Sequence, residues 1–137
     1  MTDVNWLPKE AVLLIRARHL AEHGGSTGLR DEGLLQSALQ RPQDKCNYGS
    51  PDVAELAAAY AFGVARNHPF IDGNKRTALV VARTFLLYNG WQIAATPEDR
   101  LRTFLALASG DLTEPDLALW FRHHLLPIKY STVLFQE

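Results

Sequence analysis

The chain has 137 residues and a mass of 15.3 kDa, with 14 Lys+Arg against 15 Asp+Glu, or 14 − 15 = −1 in formal charge. One domain of that length can bury about two-thirds of its unfolded surface, and 47% hydrophobic with 21% charged residues excludes a mainly disordered chain. The near-neutral balance argues against a general binder of DNA, RNA or acidic membranes while leaving room for local patches, and the single Cys46 excludes an internal disulfide framework or a Cys-based zinc site while fitting a reducing cytoplasm.

The periodicity predicts helices throughout. Ala11, Leu14, Ile15 and the positions up to Leu20 give a first helix, stopped by Gly24-Gly25. A second helix starts at Asp31, which can cap it, carries Leu34, Leu35, Ala38 and Leu39, and ends at Arg41-Pro42. Residues Pro42 to Pro51 read as a polar connection. Ser50 then reads as an N-cap with Pro51 at the first helical position, opening a helix to about Asn67. That helix is apolar nearly all round (Val53, Leu56, Ala57, Tyr60, Ala61, Val64), as a buried central helix must be. Its most apolar part, Leu56 to Ala65, is half the ~20 residues a membrane helix needs.

A further buried helix is expected from Asn74 to Tyr88, closed by Asn89-Gly90. Thr96-Pro97-Glu98-Asp99 and Thr113-Glu114-Pro115-Asp116 form two capping boxes with Asp as the reciprocal residue, each starting a helix, and the last helix ends near Pro127. Residues 1–127 therefore read as one all-α domain of about six helices. The tail, 128–137, reads as a short strand or irregular, and its Val133-Leu134-Phe135-Gln136 resembles part of a protease-tag scar. Nothing at Met1-Thr2-Asp3-Val4-Asn5 has the layout of a signal peptide, so a soluble cytoplasmic protein is expected.

The chemistry concentrates between the two most buried helices, at His68-Pro69-Phe70-Ile71-Asp72-Gly73-Asn74-Lys75-Arg76. From Leu56 to Pro97 the only acid is Asp72, against Arg66, Lys75, Arg76 and Arg83, which is 4 − 1 = +3 in a chain of net −1. Gly73-Asn74 stands where a helix begins, so backbone N–H groups and the positive dipole end face the loop. With Lys75 and Arg76 in the first turn, this describes an anion cradle suited to phosphate. Cations there oppose the dipole, at a few tenths of a kcal/mol each, which an anionic ligand would offset. One carboxylate beside such a cradle, Asp72, suits Mg²⁺, which takes one protein oxygen, phosphate oxygens and water. His68 can take a proton from an attacking hydroxyl.

At these residues the sequence resembles the Fic/Doc family, whose pattern is H-x-F-x-[D/E]-G-N-[G/K]-R. His68, Phe70, Asp72, Gly73, Asn74, Lys75 and Arg76 meet every fixed position. Leu29-Arg30-Asp31 through Leu34-Leu35-Gln36-Ser37-Ala38 to Pro42, and Ala58-Ala59-Tyr60 to Ala65-Arg66-Asn67, resemble the Doc (death-on-curing) branch, over roughly residues 5 to 125. The resemblance implies a toxin of a type II toxin–antitoxin pair that uses ATP and Mg²⁺ to modify a protein hydroxyl. It implies His68 as general base, Asp72 as Mg²⁺ ligand, Gly73 and Asn74 lining the anion hole, Lys75 and Arg76 on phosphates, and Phe70 as core anchor. The connection Pro42 to Pro51 would be the family's flap, which pairs with the target as an added strand. Lys75 stands where adenylylating members have Gly, and Leu79 where they have a second Arg. The Doc branch shares both and resembles a protein kinase acting on a Thr of elongation factor Tu. Transfer of AMP is the alternative. No Ser or Thr here starts the family's self-inhibitory pattern [S/T]-x-x-x-E-[G/N], since Ser37 is followed four on by Arg41, Thr96 by Arg100 and Thr113 by Leu117. Restraint is therefore expected in trans, from an antitoxin helix.

Two other readings stand beside this one. His19-Leu20-Ala21-Glu22-His23 matches the H-x-x-E-H pattern of zinc peptidases, but Gly24-Gly25 puts it on a last helical turn, where His is favoured by the dipole without any metal. His123-His124 lies in a similar last turn. A non-catalytic protein that only binds a partner is the third class, and the intact set of base, acid and cradle argues against it.

Overall fold

The structure, a computed structural model, describes residues 4–24, 29–67, 69–70 and 73–128, with the His23 side chain also left out. Six helices follow in chain order: α1 (Lys9–His23), α2 (Glu32–Tyr48), α3 (Val53–Asn67), α4 (Asn74–Tyr88), α5 (Pro97–Ser109) and α6 (Glu114–His124). Between them stands one two-stranded antiparallel sheet, β1 (Trp91–Ile93) with β2 (Leu125–Pro127), in the register Gln92 to Leu126. The expected all-α class and the helix count are met. None of these helices is long and apolar enough to cross a membrane.

Helix α3 is the axis of the fold. Ten of its fifteen residues are buried, including every position from Leu56 to Ala61, and it packs against α2, α4, α5 and α6. Small residues allow that crowding: a Cβ added to Gly63 would lie 3.1 Å from the Ala38 Cα, so α2 and α3 meet nearly backbone to backbone. The Tyr60 ring packs at a tilt against Phe85 of α4, 4.8 Å between centroids, and its hydroxyl accepts from the Leu7 N–H at 3.2 Å, tying the N-terminal segment to the core. The two helices that flank residues 68–73, α3 and α4, thus lie side by side in the core.

The caps sit largely where the residue types place them. Asp31 accepts from the Leu34 N–H at 3.0 Å, Thr96 from Asp99 at 3.1 Å and Thr113 from Asp116 at 3.2 Å. Helix α4 spans Asn74 to Tyr88, as expected.

Four expectations need correction. The first concerns the face of α1: Leu14 is 72% exposed, while Val12 is fully buried and Arg16 lies beneath the surface. The inward stripe runs from buried Val12 and Arg16 to half-buried His19, so an arginine occupies a core position that the apolar pattern did not point to. Second, α2 does not stop at Pro42 but continues to Tyr48 with Pro42 buried inside it. Proline forfeits only the bond to the Ala38 carbonyl, and the close packing of α2 on α3 outweighs that loss. The supposed connection is thus mostly helix, and no flap strand exists over 42–48. Third, the cap of α3 is Asp52, not Ser50: Asp52 Oδ1 accepts from the Glu55 N–H at 2.8 Å while Glu55 Oε1 accepts from the Asp52 N–H at 3.4 Å, a reciprocal capping box. Fourth, α6 ends at His124, because Leu125 to Pro127 leave the helix to pair with β1. The expected short strand or irregular tail falls, beyond Ile128, outside the described residues.

Candidate active site at the signature loop

The signature loop leaves α3 at Asn67 and enters α4 at Asn74. His68, Ile71 and Asp72 lie outside the described residues, and with them the expected base and metal carboxylate. Their chain neighbours Asn67, Pro69, Phe70 and Gly73 are described.

Phe70 is the anchor that the sequence named. It is buried, and it forms an isolated antiparallel bridge with Leu29. One residue earlier, the Pro69 carbonyl accepts from the N–H groups of Arg30 at 2.8 Å and Asp31 at 3.1 Å. The Arg30 guanidinium reaches the Asn67 carbonyl at 3.1 Å, and the Asn67 amide donates to the Leu34 carbonyl at 3.1 Å. The run Leu29-Arg30-Asp31 is therefore a brace that fixes the entry of the loop before Asp31 caps α2.

Asn74 closes the other side. Its side-chain oxygen accepts from the Phe70 N–H and its amide donates to the Phe70 carbonyl, both at 3.0 Å. That pair satisfies a buried peptide unit that no helix serves, and it ties the loop's middle to the first turn of α4. The Asn74 side chain is thereby committed to the loop, and what it can offer an anion is its backbone N–H.

Gly73 joins the two in left-handed conformation, φ +71° and ψ 15°. A side chain here would be strained, and it would have no room: an ideal Cβ would stand 2.3 Å from Arg16 Nη1 and 3.0 Å from His19 Nε2. Helices α2, α3, α5 and α6 each start with a side-chain oxygen on an early N–H. Helix α4 starts on a glycine that has none to give. Its first turn carries no acid, while Lys75 and Arg76 are exposed on it. The result is a helix end with open amides, a positive dipole end and two solvent-facing cations, which is what binding of a phosphate chain requires.

Two groups at this site were not foreseen. Arg16 is 4% exposed, its Cζ lying 5.1 Å from the centroid of Phe70. His19, one turn on, puts its ring against the same glycine, so the residue that a zinc motif would have claimed faces the signature loop. The signal was present in the i, i+4, i+7 spacing of Val12, Arg16 and His19, but it became legible only once Val12 was known to be core. Leu79, at the position of the missing second arginine, instead packs against the core and lines a groove of about 290 Å³ with Val80, Arg83, Pro97, Arg100 and Leu101.

Comparison with known proteins agrees with this geometry. The model of the Fic/DOC family matches residues 6–86, from the segment before α1 to Leu86 in α4. The chain is 49% identical over 75 residues to a protein named Toxin Doc from Mycolicibacterium smegmatis, covering 53% of this chain and 57% of that one. It is 38% identical over 92 residues to one named Protein kinase doc from Escherichia phage P1, covering 66% of this chain and 72% of the relative. The matched part is thus little more than half the mycobacterial relative's length. The family match over residues 6–86 contains the brace, the buried arginine, the signature and α4 up to Leu86, and by that match the chain belongs to the Fic/DOC family.

Proposed function

We propose that this chain is a toxin of the Doc type, working in the cytoplasm, that moves the γ-phosphoryl group of ATP onto a hydroxyl of a host protein. The observation that carries the reading is the complete signature at residues 68–76, inside the stretch 6–86 matched by the family, in a chain similar to a relative named as a protein kinase. The substrate follows the branch that the sequence resembles: a Thr of elongation factor Tu, whose modification halts translation.

In this reaction His68 takes the proton of the attacking hydroxyl, and the freed oxygen attacks the γ-phosphorus in line. The bond from that phosphorus to the β–γ bridging oxygen breaks, and ADP departs. Lys75, Arg76 and the open amides of α4 neutralise charge on the transferred group, which is most of what phosphoryl transfer asks of a protein. Asp72 would hold Mg²⁺, which neutralises phosphate oxygens when bound. The donor set fits that ion: Asp72 adjoins a glycine-opened helix end with two exposed cations, so phosphates would complete the coordination. Among the described residues no three His, Cys, Asp or Glu side chains converge on a metal position.

Lys75 supports phosphoryl over adenylyl transfer. A long cation on the first turn occupies space that a glycine would leave for the α-phosphate, and Leu79 is turned to the core instead of supplying a second guanidinium. Restraint would come from an antitoxin segment folding as a helix onto this chain. The test is incubation with elongation factor Tu and Mg²⁺, using α- and γ-labelled ATP separately. Label should pass from the γ position alone, with a gain of about 80 Da, one phosphate. Transfer of the α label would make the chain an adenylyltransferase, and no transfer to any host protein would overturn the reading.

A further inference from the structure

We infer that Arg16, which lies outside the signature, is the positioning residue of its anion cradle: a buried guanidinium wedged between the Phe70 ring and the first peptide unit of α4. The inference rests on the cradle reading above. A guanidinium held at 4% exposure has lost most of its hydration, and such a burial persists only where the charge meets something specific. Mere filling of the core on this stripe is done by an apolar residue one turn earlier, Val12.

Arg16 meets both Phe70 and Gly73 at once. Its Cζ stands 5.1 Å over Phe70, the ring whose peptide is clamped by Asn74 and Leu29. Its Nη1 stands 2.3 Å from where a side chain on Gly73 would begin. A planar group touching both sets the separation of the loop's anchor from the helix end. No apolar side chain does this while also carrying charge, and an ammonium carries charge without the planar contact. The charge lies at Gly73, the residue that opens α4, whereas Lys75 and Arg76 are exposed to solvent. Buried as it is, this guanidinium is screened less by water than a solvated lysine at equal distance.

The test uses the full chain, labelled with ¹⁵N and titrated with inorganic pyrophosphate while the amide signals of Gly73 to Arg76 are followed. Two variants separate charge from shape: Arg16→Gln keeps a planar head without charge, and Arg16→Lys keeps the charge without the plane. The wild type should saturate. Arg16→Gln should weaken pyrophosphate by about tenfold and Arg16→Lys by about threefold, and both should displace the Gly73 and Asn74 signals before ligand is added. A purely structural arginine would lower the melting temperature of both variants and leave pyrophosphate affinity unchanged, and that result overturns the inference. If Arg16→Gln does not fold, Arg16→Lys decides, since wild-type affinity with undisplaced Gly73 and Asn74 signals overturns it equally. A wild type that does not bind pyrophosphate at these amides overturns the cradle reading itself, and the inference with it.

Discussion

The two ends of α4 are each pinned by an asparagine, and they differ in where charge is put. At the N-terminal end Asn74 holds the Phe70 peptide from both sides. At the C-terminal end Asn89 does the same for Asn5: its oxygen accepts from the Asn5 N–H at 2.9 Å, and its amide donates to the Asn5 carbonyl at 3.0 Å and the Phe85 carbonyl at 2.8 Å. The mechanics are alike, but the electrostatics are reversed. A helix is favoured by acids in its first turn and bases in its last, and α6 follows that rule with Glu114 and Asp116 at one end and Arg122, His123 and His124 at the other. Helix α4 has Lys75 and Arg76 in its first turn, Arg16 beneath them, and no base in its last turn. The neutral end is built for stability. The charged end carries an electrostatic cost that the proposed anionic ligand would relieve.

The strongest way to break this contrast is to remove the proposed base. His68→Ala should lower phosphoryl transfer by about 10²- to 10⁴-fold, while helical circular dichroism and melting temperature stay near wild type. A variant that stays active, or unfolds, would make His68 a structural residue. Gly73→Ala should strike both properties. A Cβ in left-handed backbone, aimed at the Arg16 guanidinium, should cost about 1–3 kcal/mol in denaturant unfolding and displace the cradle.

The asparagines sharpen the comparison directly. Asn89→Ala leaves backbone groups of Asn5 and Phe85 unserved and should cost about 1–2 kcal/mol, with activity per folded molecule unchanged. Asn74→Ala should cost a similar amount and also depress kcat, because the peptide it releases belongs to the loop. Equal losses of activity in the two variants would erase the distinction between the ends. Smaller still, and opposite in sign, Lys75→Gln should stabilise the fold by about 0.3 kcal/mol through relief of the dipole, while weakening nucleotide binding.

The last test lies away from the site, where α3 and α6 are joined. Burial raises the Asp52 carboxyl, but the Arg122 guanidinium at 2.7 Å and the Glu55 N–H at 2.8 Å outweigh it and hold the group below its ordinary 3.8. A depressed carboxylate contributes stability that is present above its unfolded value and lost as pH falls through the folded one. Asp52→Asn should therefore flatten the loss of stability on acidification below about pH 3.8, without altering activity at neutral pH. An unchanged acid limb would mean that other carboxylates carry it.

Much of this molecule was legible from local chemistry. Asp31, Thr96 and Thr113 announce helix starts because a short side-chain oxygen serves an N–H three residues on, whatever surrounds it. The run Asn74 to Tyr88 shows its own start and stop, and the signature names Phe70 as anchor before any contact is known. What misled were positions whose local preference was overridden. Pro42 is a helix breaker by propensity, yet it lies within α2, because Ala38 and Gly63 bring two helices too close for that segment to leave. Ser50-Pro51 is a good cap on paper, and Asp52 with Glu55 is a better one by reciprocity.

The sequence by itself therefore determined the helical class, most helix limits and the family, and it names the groups proposed to act on a phosphate. Each rests on neighbours within about one helical turn or on a contiguous motif. Tertiary structure alone decided that α1 turns Arg16 and His19 toward Gly73, that the Asn74 amide is spent on Phe70, and that β1 finds β2 across α5 and α6. Those are contacts between segments distant in sequence, and no local pattern encodes them. They arise because burying α3 on all sides leaves its flanking elements only one way to close around it.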